Sequence, residues 1–544
     1  MAFNQADSGI LKGMNPRVTI AATALIVVVL ALGSLFTKEV SQTLGNARSF
    51  LNPFLEWYYV LVVAFLLFFM IWLGTGRYKN VRLGQDNEQP EFAFFSWIAM
   101  LFAAGTGVGI LFWAVAQPIL QFEHNPFVND GLTPEAARVA MSLTYFHWGL
   151  NGWAIFSFVA LALAFFAYRR NQPLTIRSGL SPVLGKRTRG WIGDTVDVMA
   201  TFATVFGIAT TLGLGVRQMN SGLSEVFGFQ QTLPIQLTVT IAIMGIATLS
   251  VASGLQKGVR ALSELNFWLS IAIVCFVLLF GPTQYLFAIT LESAGYYVQN
   301  LLQMTFHTNA THDDGWQSEW TVFFWGWWLA WSPFVGMFIA RVSRGRTFRE
   351  FVMGVLLVPT VITIVWIGLF GGTALYQELF GGGGIIAAVS ENEARALFVT
   401  IEAMGFGTVG LIVSIGLVIL IATYLITSAN AGTLVINTIL SGGDPNPPVA
   451  HRILWGVILT LMTVVLLIAG GLETLQSAVI MAALPFSVII LGMAWGLTRA
   501  LHHECYAART GERTEAPREP WADLEDAGRE ATQVSPDQRH KEQV

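Results

Sequence analysis

Apolar stretches long enough to cross a lipid bilayer recur along almost the whole chain, and they constrain the fold more than any other feature. A helix of about 20 apolar residues crosses a hydrocarbon core roughly 30 Å thick. Hydrophobic residues make up 54% of the 544 residues and charged residues only 12%, against about 25% charged residues in soluble domains. We therefore predict an all-α polytopic membrane protein with about twelve spans, at residues 17-36, 55-75, 92-116, 138-168, 195-217, 235-254, 261-281, 319-341, 351-375, 404-438, 451-469 and 474-501.

Basic residues in the short connections indicate how these spans are oriented. Lysine and arginine gather in the cytoplasmic loops of membrane proteins. Residues 285–318, between the seventh and eighth spans, contain neither. The pattern predicts that both termini are cytoplasmic, because the connections after the second, fourth, sixth and eighth spans hold Arg77, Lys79 and Arg82, then Arg169, Arg170, Arg177, Lys186, Arg187 and Arg189, then Lys257 and Arg260, then Arg344, Arg346 and Arg349.

Three segments outside the spans have distinct compositions. Residues 282–306 mix polar and aromatic side chains, which is typical of a helix lying along the outer interface. Four glycines at 381–384 predict a flexible loop, followed by a second short surface helix at 385–400. Residues 503–544 are charged, mixed in sign and poor in aromatic residues, so they are predicted to form a cytoplasmic tail that is partly helical and partly disordered.

Alternating glycines interrupt the third span. Gly105, Gly107 and Gly109 each lower the helix preference by about 1 kcal/mol relative to alanine, and they free backbone groups at bilayer depth. Such groups are tolerated where they line a cavity or are buried in protein. Two interpretations remain open: close packing of helices through small residues, or a broken helix that coordinates an ion and a substrate carboxylate.

Tryptophans run through the eighth span. Membrane tryptophans normally lie at the two interfaces, which explains Trp320, but Trp327, Trp328 and Trp331 continue too far inward for that. Trp328 and Trp331 are three residues apart and share a helix face. A cage of aromatic faces suits a methylated ammonium group through cation–π contact; a packed aromatic core is the alternative.

The fourth span supplies further aromatic side chains. Trp153 and Phe156 lie on one face of the helix. Glycines at 149 and 152 let the backbone bend, so that Trp148 can join them. The fourth and eighth spans together therefore predict the walls of an aromatic cage.

Two groups of polar residues lie inside the spans. His147 is the lone intramembrane histidine; a proton relay is conceivable, and hydrogen-bonded packing is the favoured interpretation. In the tenth span, the backbone carbonyl of Tyr424 and the hydroxyls of Thr427 and Ser428 fall on one helical face. Neutral oxygen ligands suit sodium, but such hydroxyls commonly bond back to the preceding turn instead.

One long segment carries a resemblance to a known family. Residues 325–338 read WGWWLAWSPFVGMF, and residues 340–347 continue as ARVSRGRT. This tryptophan-rich segment resembles the betaine/choline/carnitine transporters, and the resemblance covers roughly residues 15–500.

The resemblance implies an architecture. It predicts a LeuT-like core of two inverted five-helix repeats, assembled as a homotrimer in a bacterial inner membrane. The implied divisions are an N-terminal tail at 1–16, two peripheral helices at 17–91, the first repeat at 92–281, the outer interfacial helix at 282–318, the second repeat at 319–501 and a C-terminal tail at 502–544.

The resemblance also implies binding residues. The substrate-binding candidates, which include the family's aromatic box and the glycine-rich break, are Trp148, Trp153, Phe156, Trp327, Trp328, Trp331, Gly105, Thr106, Gly107 and Gly109. A sodium site is implied at Ala103, Thr106, Tyr424, Thr427 and Ser428, with the first three acting through backbone carbonyls. A second sodium site is placed near Phe334, with Thr204, Thr210 and Thr211 as candidates.

Four positions depart from the family's pattern. Phe156 stands where betaine carriers often have tyrosine, Thr106 where methionine is frequent, and Gln117 where an acidic residue is common. Gly109 stands where choline-type members tend to carry aspartate. Because burying an uncompensated charge is costly, the lack of that carboxylate favours a substrate that brings its own.

Together with these observations, the resemblance implies a secondary active transporter, without a protein-bound cofactor, that imports glycine betaine or dimethylsulfoniopropionate by sodium symport with alternating access. A choline or carnitine carrier and a sodium-independent exchanger are the alternatives within the family. A channel would need a continuous polar lining, which the spans do not show. An integral membrane enzyme would need clustered His, Cys, Asp or Glu at membrane depth, and the eight histidines are scattered. The predicted partners are a zwitterionic osmolyte, sodium and the lipid bilayer; the net charge of −4 sums segments on both sides of a membrane and gives no reason to expect a nucleic acid.

Overall fold

The part of the chain that the structure describes folds almost entirely into helices. A computed structural model describes residues 4–105, 107–252, 256–311 and 315–510. The α-helices in those ranges are α1 (Pro16–Leu35), α2 (Thr37–Thr75), α3 (Phe94–Gly105), α4 (Val108–Glu123), α5 (Pro134–Trp148), α6 (Leu150–Ala164), α7 (Ser181–Leu184), α8 (Trp191–Phe227), α9 (Leu233–Ala252), α10 (Gln256–Phe280), α11 (Thr283–Thr305), α12 (Trp316–Glu319), α13 (Thr321–Val342), α14 (Phe348–Phe380), α15 (Ile385–Glu391), α16 (Ala396–Ala403), α17 (Thr408–Leu440) and α18 (Val449–Thr510). The shorter segments are a π-helical turn at Phe165–Arg169 and 3-10 turns at Ile176–Leu180, Gly185–Arg189 and Glu393–Arg395.

Ten of the described helical segments are long and apolar enough to cross a membrane, judged by length and composition. The predicted span at 92–116 is instead two shorter helices, α3 and α4, and the predicted spans at 451–469 and 474–501 are two arms of the single helix α18. The prediction of an all-α polytopic membrane protein is confirmed. The count of twelve spans and the inverted-repeat topology stay predictions.

Glycines divide three of these segments. The third span breaks between Gly105, the last residue of α3, and Gly107, which precedes α4. The fourth span breaks at Gly149 (φ −100°, ψ −136°), and α18 breaks at Gly470 and Gly471. Gly471 has φ 61°, a left-handed conformation that glycine adopts without a steric penalty. The expected interruption of the third span and the bend of the fourth are both present.

Burial separates inner helices from outer ones. In the most apolar windows of the joined helix α5–α6, of α8 and of the segment containing α13, 89% of residues are buried, against 28% in the windows of α9 and α10. Outward-facing side chains such as Leu249 and Trp268 give those two helices apolar surfaces. The inner helix α13 packs against α6, α8 and α18. A helix that is apolar all round belongs in the interior of a bundle or in lipid, so the cage predicted on α5, α6 and α13 lies in the best-packed part of the protein.

The predicted surface segments are helical. The expected outer interfacial helix corresponds to α11, and residues 385–400 form α15, a 3-10 turn and the start of α16. Helix α2 begins 18 residues before the predicted span at 55–75, because its first half carries charged residues that ended the apolar run without ending the helix. In the predicted C-terminal tail, α18 continues to Thr510, and residues 511–544 lie outside the described part of the chain.

A buried ion-pair cluster ties the connection before α8 to α8 itself. The Arg177 guanidinium is fully buried; its Nε donates to Asp197 at 2.6 Å and its Nη1 lies 2.9 Å from Asp194. Thr175 and the Arg177 backbone N–H donate to the other Asp197 oxygen. Burial acts to lower the pKa of Arg177, and the two carboxylates more than offset it, so that the pKa is raised above its ordinary value.

Removing one charge from this cluster is expected to destabilise the fold. The substitution Asp197→Asn leaves the buried Arg177 short of a counter-charge, which costs about 3 kcal/mol or more for a buried pair. We expect a lower thermal unfolding midpoint in detergent, which size-exclusion chromatography of heated samples measures. Asp86→Asn is the matched control, because Asp86 pairs with Arg169 but is 87% exposed; equal shifts in the two variants would contradict the prediction.

Candidate functional site: an aromatic cage between three helices

Six residues from α5, α6 and α13 line a small cavity inside the helix bundle. They are Trp148, Gly152, Trp153, Phe156, Trp328 and Trp331. Five are buried, and Trp331 is partly exposed. None of the six is charged, so the described lining supplies aromatic faces and no carboxylate.

The rings of the cage meet edge to face. The Trp148 and Trp328 centroids lie 4.8 Å apart with an interplanar angle of 78°. Phe156 makes similar contacts with Trp153 at 5.5 Å, Trp328 at 5.6 Å and Trp331 at 5.7 Å. Such edge-to-face pairs are favourable because the positive edge of one ring meets the negative face of the next. The same negative faces can bind a methylated cation.

Trp327 lies behind the cage. It is fully buried and stacks on Trp328, with centroids 4.8 Å apart and an angle of 17°. Its indole N–H donates to the Thr211 hydroxyl at 3.2 Å. Trp327 therefore supports the wall formed by Trp328 and does not itself line the cavity.

Hydrogen bonds fix two of the indoles that line the cage. Trp148 Nε1 donates to Gln117 Oε1 at 3.1 Å, and Trp328 Nε1 donates to the His147 backbone carbonyl at 2.9 Å. The His147 ring is fully buried and hydrogen-bonded through both nitrogens, to Gln117 and to Thr321. This is the hydrogen-bonded packing that the sequence favoured for His147.

Two glycines allow the helices to approach at the cage. A Cβ at Gly109 would lie 2.8 Å from Cη2 of Trp327 and 3.1 Å from Cη2 of Trp148. A Cβ at Gly152 would lie 3.0 Å from the indole nitrogen of Trp328. A side chain at position 109 would thus reach the tip of Trp148 in the cage wall and the tip of Trp327 behind it. Gly109 itself does not line the cavity, and its role in binding stays a prediction.

The break of the third span lies near the tenth span. Gly215 of α8 packs so closely that a Cβ there would touch both Val108, at the start of α4, and Leu425 of α17. Val108, which follows the break, and Leu425, which lies between Tyr424 and Ser428 in sequence, are therefore close together on one side of α8. Gly105 and Gly107 flank the break; Thr106 lies outside the described residues, and for Ala103 the structure describes only its place in α3.

The two residues of the tenth span that carry the predicted sodium-binding hydroxyls are partly buried. Thr427 is half-buried and donates to the carbonyls of Thr423, at 3.0 Å, and of Tyr424, at 3.1 Å. Ser428 is also half-buried. The Thr427 hydroxyl therefore makes the back-bond that the alternative interpretation expects, while its oxygen keeps a lone pair for a cation. The sodium site stays a prediction.

The two threonines predicted for the second sodium site point in different directions from α8. Thr211 reaches Trp327, whereas Thr210 donates to the backbone carbonyl of Leu475 at 3.3 Å. Phe334 lies on α13 beside Trp331, with centroids 5.5 Å apart. Thr211 and Phe334 both belong to the neighbourhood of the cage, and Thr210 points to α18.

Two residues at the site are not among the predicted binding residues. Gly152 lines the cavity, although the sequence indicates only a bend there. Gln117 holds Trp148, although the sequence marks it only as a departure from the family. A glutamine in an apolar helix signals a buried partner, but nothing in the sequence names Trp148 as that partner.

Comparisons with known proteins identify the family of this chain. The family model of the betaine/carnitine/choline family transporters matches residues 17–506. This chain belongs to that transporter family. It is 41% identical over 489 residues to a glycine betaine transporter of Acinetobacter baylyi, covering 90% of this chain and 73% of that one.

Two further relatives show the range of substrates among similar proteins. The glycine betaine transporter OpuD of Bacillus subtilis is 40% identical over 510 residues, covering 92% of this chain and 96% of that one. The high-affinity choline transport protein of Escherichia coli K12 is 38% identical over 509 residues, covering 93% of this chain and 75% of that one. The protein is therefore a multi-pass membrane transporter of this family and not an enzyme.

Proposed function

We propose that this betaine/carnitine/choline family transporter imports a small quaternary-ammonium or sulfonium zwitterion, glycine betaine or dimethylsulfoniopropionate, by sodium symport. The observation that carries the proposal is the aromatic cavity whose described lining has no charged side chain. A methylated onium group binds to aromatic faces, and its own carboxylate removes the need for a protein counter-charge. The names of the Acinetobacter and Bacillus relatives support the same substrate class.

The choline alternative is weaker at this site. A Cβ at position 109 would lie beside Trp148 and Trp327, so this is the place from which a carboxylate could balance an unpaired cation. The residue here is glycine. Carnitine, which is also a zwitterion, and sodium-independent exchange remain as second candidates; the hydroxyls of Thr427 and Ser428 favour sodium coupling over exchange.

The proposed mechanism is alternating access in a LeuT-like inverted-repeat core. Ion and substrate together stabilise one closed state, and their differential affinity for the open states supplies the coupling. The breaks at Gly149, between Gly105 and Gly107, and at Gly470 and Gly471 provide places where helices can bend. We extend the proposal to a homotrimer in the bacterial inner membrane with both termini in the cytoplasm.

A ligand screen by intrinsic tryptophan fluorescence tests the substrate class. Purified protein is titrated with glycine betaine, dimethylsulfoniopropionate, carnitine, choline and ectoine. We expect saturable quenching or enhancement with the first two and at least about tenfold weaker binding of choline, which is a difference of about 1.4 kcal/mol. Tight binding of choline with no response to the zwitterions would overturn the proposal.

Sodium dependence tests the coupling. Uptake of glycine betaine by proteoliposomes is expected to require a sodium gradient, and Thr427→Val is expected to raise the sodium concentration for half-maximal uptake about tenfold, because one neutral oxygen ligand is lost. Thr438→Val is the control: Thr438 is fully buried on the same helix and bonds back to Leu434. Sodium-independent uptake by the unsubstituted protein would refute the coupling and leave the substrate assignment intact.

A further inference from the structure

Hydrogen bonds to His147 connect the two main tryptophans of the cage: a chain through its ring begins at Trp148, and its backbone carbonyl binds Trp328. The chain starts at Trp148 Nε1, which lies 3.1 Å from Gln117 Oε1, and passes from Gln117 Nε2 to His147 Nδ1 at 2.6 Å. His147 Nε2 then lies 3.1 Å from Thr321 Oγ1. All four residues are at least nine-tenths buried. Of these four residues, only Trp148 lines the cage.

The chemistry of the partners fixes the direction of every bond. An indole N–H can only donate, so the Gln117 atom facing Trp148 must be the amide oxygen. The amide nitrogen of Gln117 then faces His147 and donates to Nδ1, which must be an acceptor. His147 is therefore neutral with its proton on Nε2, and that N–H donates to the Thr321 hydroxyl.

The backbone of His147 holds the second tryptophan. Helix α5 ends at Trp148, and the last four carbonyls of a helix lack intrahelical partners. The break at Gly149 thus leaves the His147 carbonyl free to accept from Trp328 Nε1 at 2.9 Å. The His147 ring also stacks on Phe324, with centroids 4.8 Å apart and an angle of 14°. His147 therefore contacts α4 and α13 through its ring, and α13 again through its backbone carbonyl.

We propose that Gln117 and His147 are positioning residues, which set the orientation of Trp148 and Trp328 through this chain and so determine the affinity for the onium group. The proposal rests on the proposed function of the cage. Cation–π attraction depends on the cation lying over a ring face. A cage whose indoles can rotate loses part of that attraction even though every ring is still present.

Matched variants of Gln117 test the positioning role. Gln117→Leu removes the acceptor for Trp148, and we expect the Kd and KM for glycine betaine to rise about tenfold while the maximal uptake rate stays within about twofold. Gln117→Glu in its protonated form accepts from Trp148 through one oxygen and donates to His147 Nδ1 through the other, so it keeps both bonds, and we expect a Kd within about threefold of the unsubstituted protein. A general packing defect would impair both variants alike and lower the rate together with the affinity.

Thr321, at the far end of the hydrogen-bond chain, offers a second pair of matched variants. Thr321→Val keeps the shape and removes the hydroxyl that accepts from His147 Nε2, so a rise in Kd of about threefold is expected, smaller than for Gln117→Leu because the affected bond is farther from the indoles. Thr321→Ser keeps the hydroxyl and is expected to bind normally. Size-exclusion profiles and thermal midpoints of all four variants monitor folding.

Nuclear magnetic resonance of substrate-free protein tests the chain without the transport assay. In ¹⁵N-histidine-labelled protein in lipid bilayers, with the signal assigned through His147→Gln, we expect Nε2 to carry the proton and Nδ1 to be bare. A proton on Nδ1, or equal Kd values for Gln117→Leu and Gln117→Glu, would overturn the proposal. Failure of the unsubstituted protein to bind glycine betaine would instead refute the proposed function, and the tautomer measurement would still stand.

Discussion

Trp328→Ala is expected to abolish glycine betaine uptake and to raise its Kd at least about 30-fold. Trp328 touches Trp148, Phe156 and Trp331 in the cage, so its removal opens the cavity and deletes its central face. A desolvated cation–π contact is worth about 2 kcal/mol or more, and each 1.4 kcal/mol is about tenfold in affinity. Tryptophan-fluorescence titration and proteoliposome uptake measure the two effects.

A matched tryptophan separates this loss from simple destabilisation. Trp366 in α14 is 5% exposed and packs on Phe370 at 4.7 Å, but it does not line the cage. Trp366→Ala therefore removes a buried indole of equal size, and we expect affinity close to that of the unsubstituted protein. Trp328→Phe, which keeps a ring and loses the bond to the His147 carbonyl, should be intermediate. Normal glycine betaine affinity in Trp328→Ala would contradict the assignment of the cage.

The sequence was sufficient to predict the features that depend on local patterns. Apolar run length predicted the membrane helices, because the thickness of hydrocarbon fixes the length of a span. Helical periodicity placed Trp153 and Phe156 on one face, and their rings do lie 5.5 Å apart. Glycine content predicted the bend at Gly149 and the break of the third span. These features needed no knowledge of which helices are neighbours.

The contacts that orient the cage could not be predicted in the same way. Trp328 bonds to a carbonyl 181 residues away, and Thr211 reaches Trp327 across 116 residues. Such pairs depend on how helices pack against each other, which the spacing of residues along each helix does not specify. The position of Trp327 shows the difference: the tryptophan pattern predicted a binding residue, whereas helix packing places its ring behind Trp328 and outside the cavity lining.

Gly109→Asp is expected to shift the preference of the cage from a zwitterion to a cation without a carboxylate. A side chain at this position starts at the ring tips of Trp148, which lines the cage, and of Trp327 behind it, so it would bring a carboxylate to the edge of the cage. Opposite charges about 5 Å apart attract by about 3 kcal/mol at an effective dielectric constant near 20. We expect choline affinity to rise at least about tenfold and glycine betaine affinity to fall, because two carboxylates then share one site.

Gly109→Asn separates charge from shape in this prediction. Asparagine has nearly the same volume and meets the same contact, since any Cβ would lie 2.8 Å from Trp327 Cη2 and must displace that ring slightly. Both variants should therefore lose some glycine betaine affinity through crowding, but only aspartate should gain choline binding and choline uptake. Equal choline affinities in the two variants would mean that the missing carboxylate at position 109 does not set the preference for a zwitterion, and that the cage geometry alone selects the substrate.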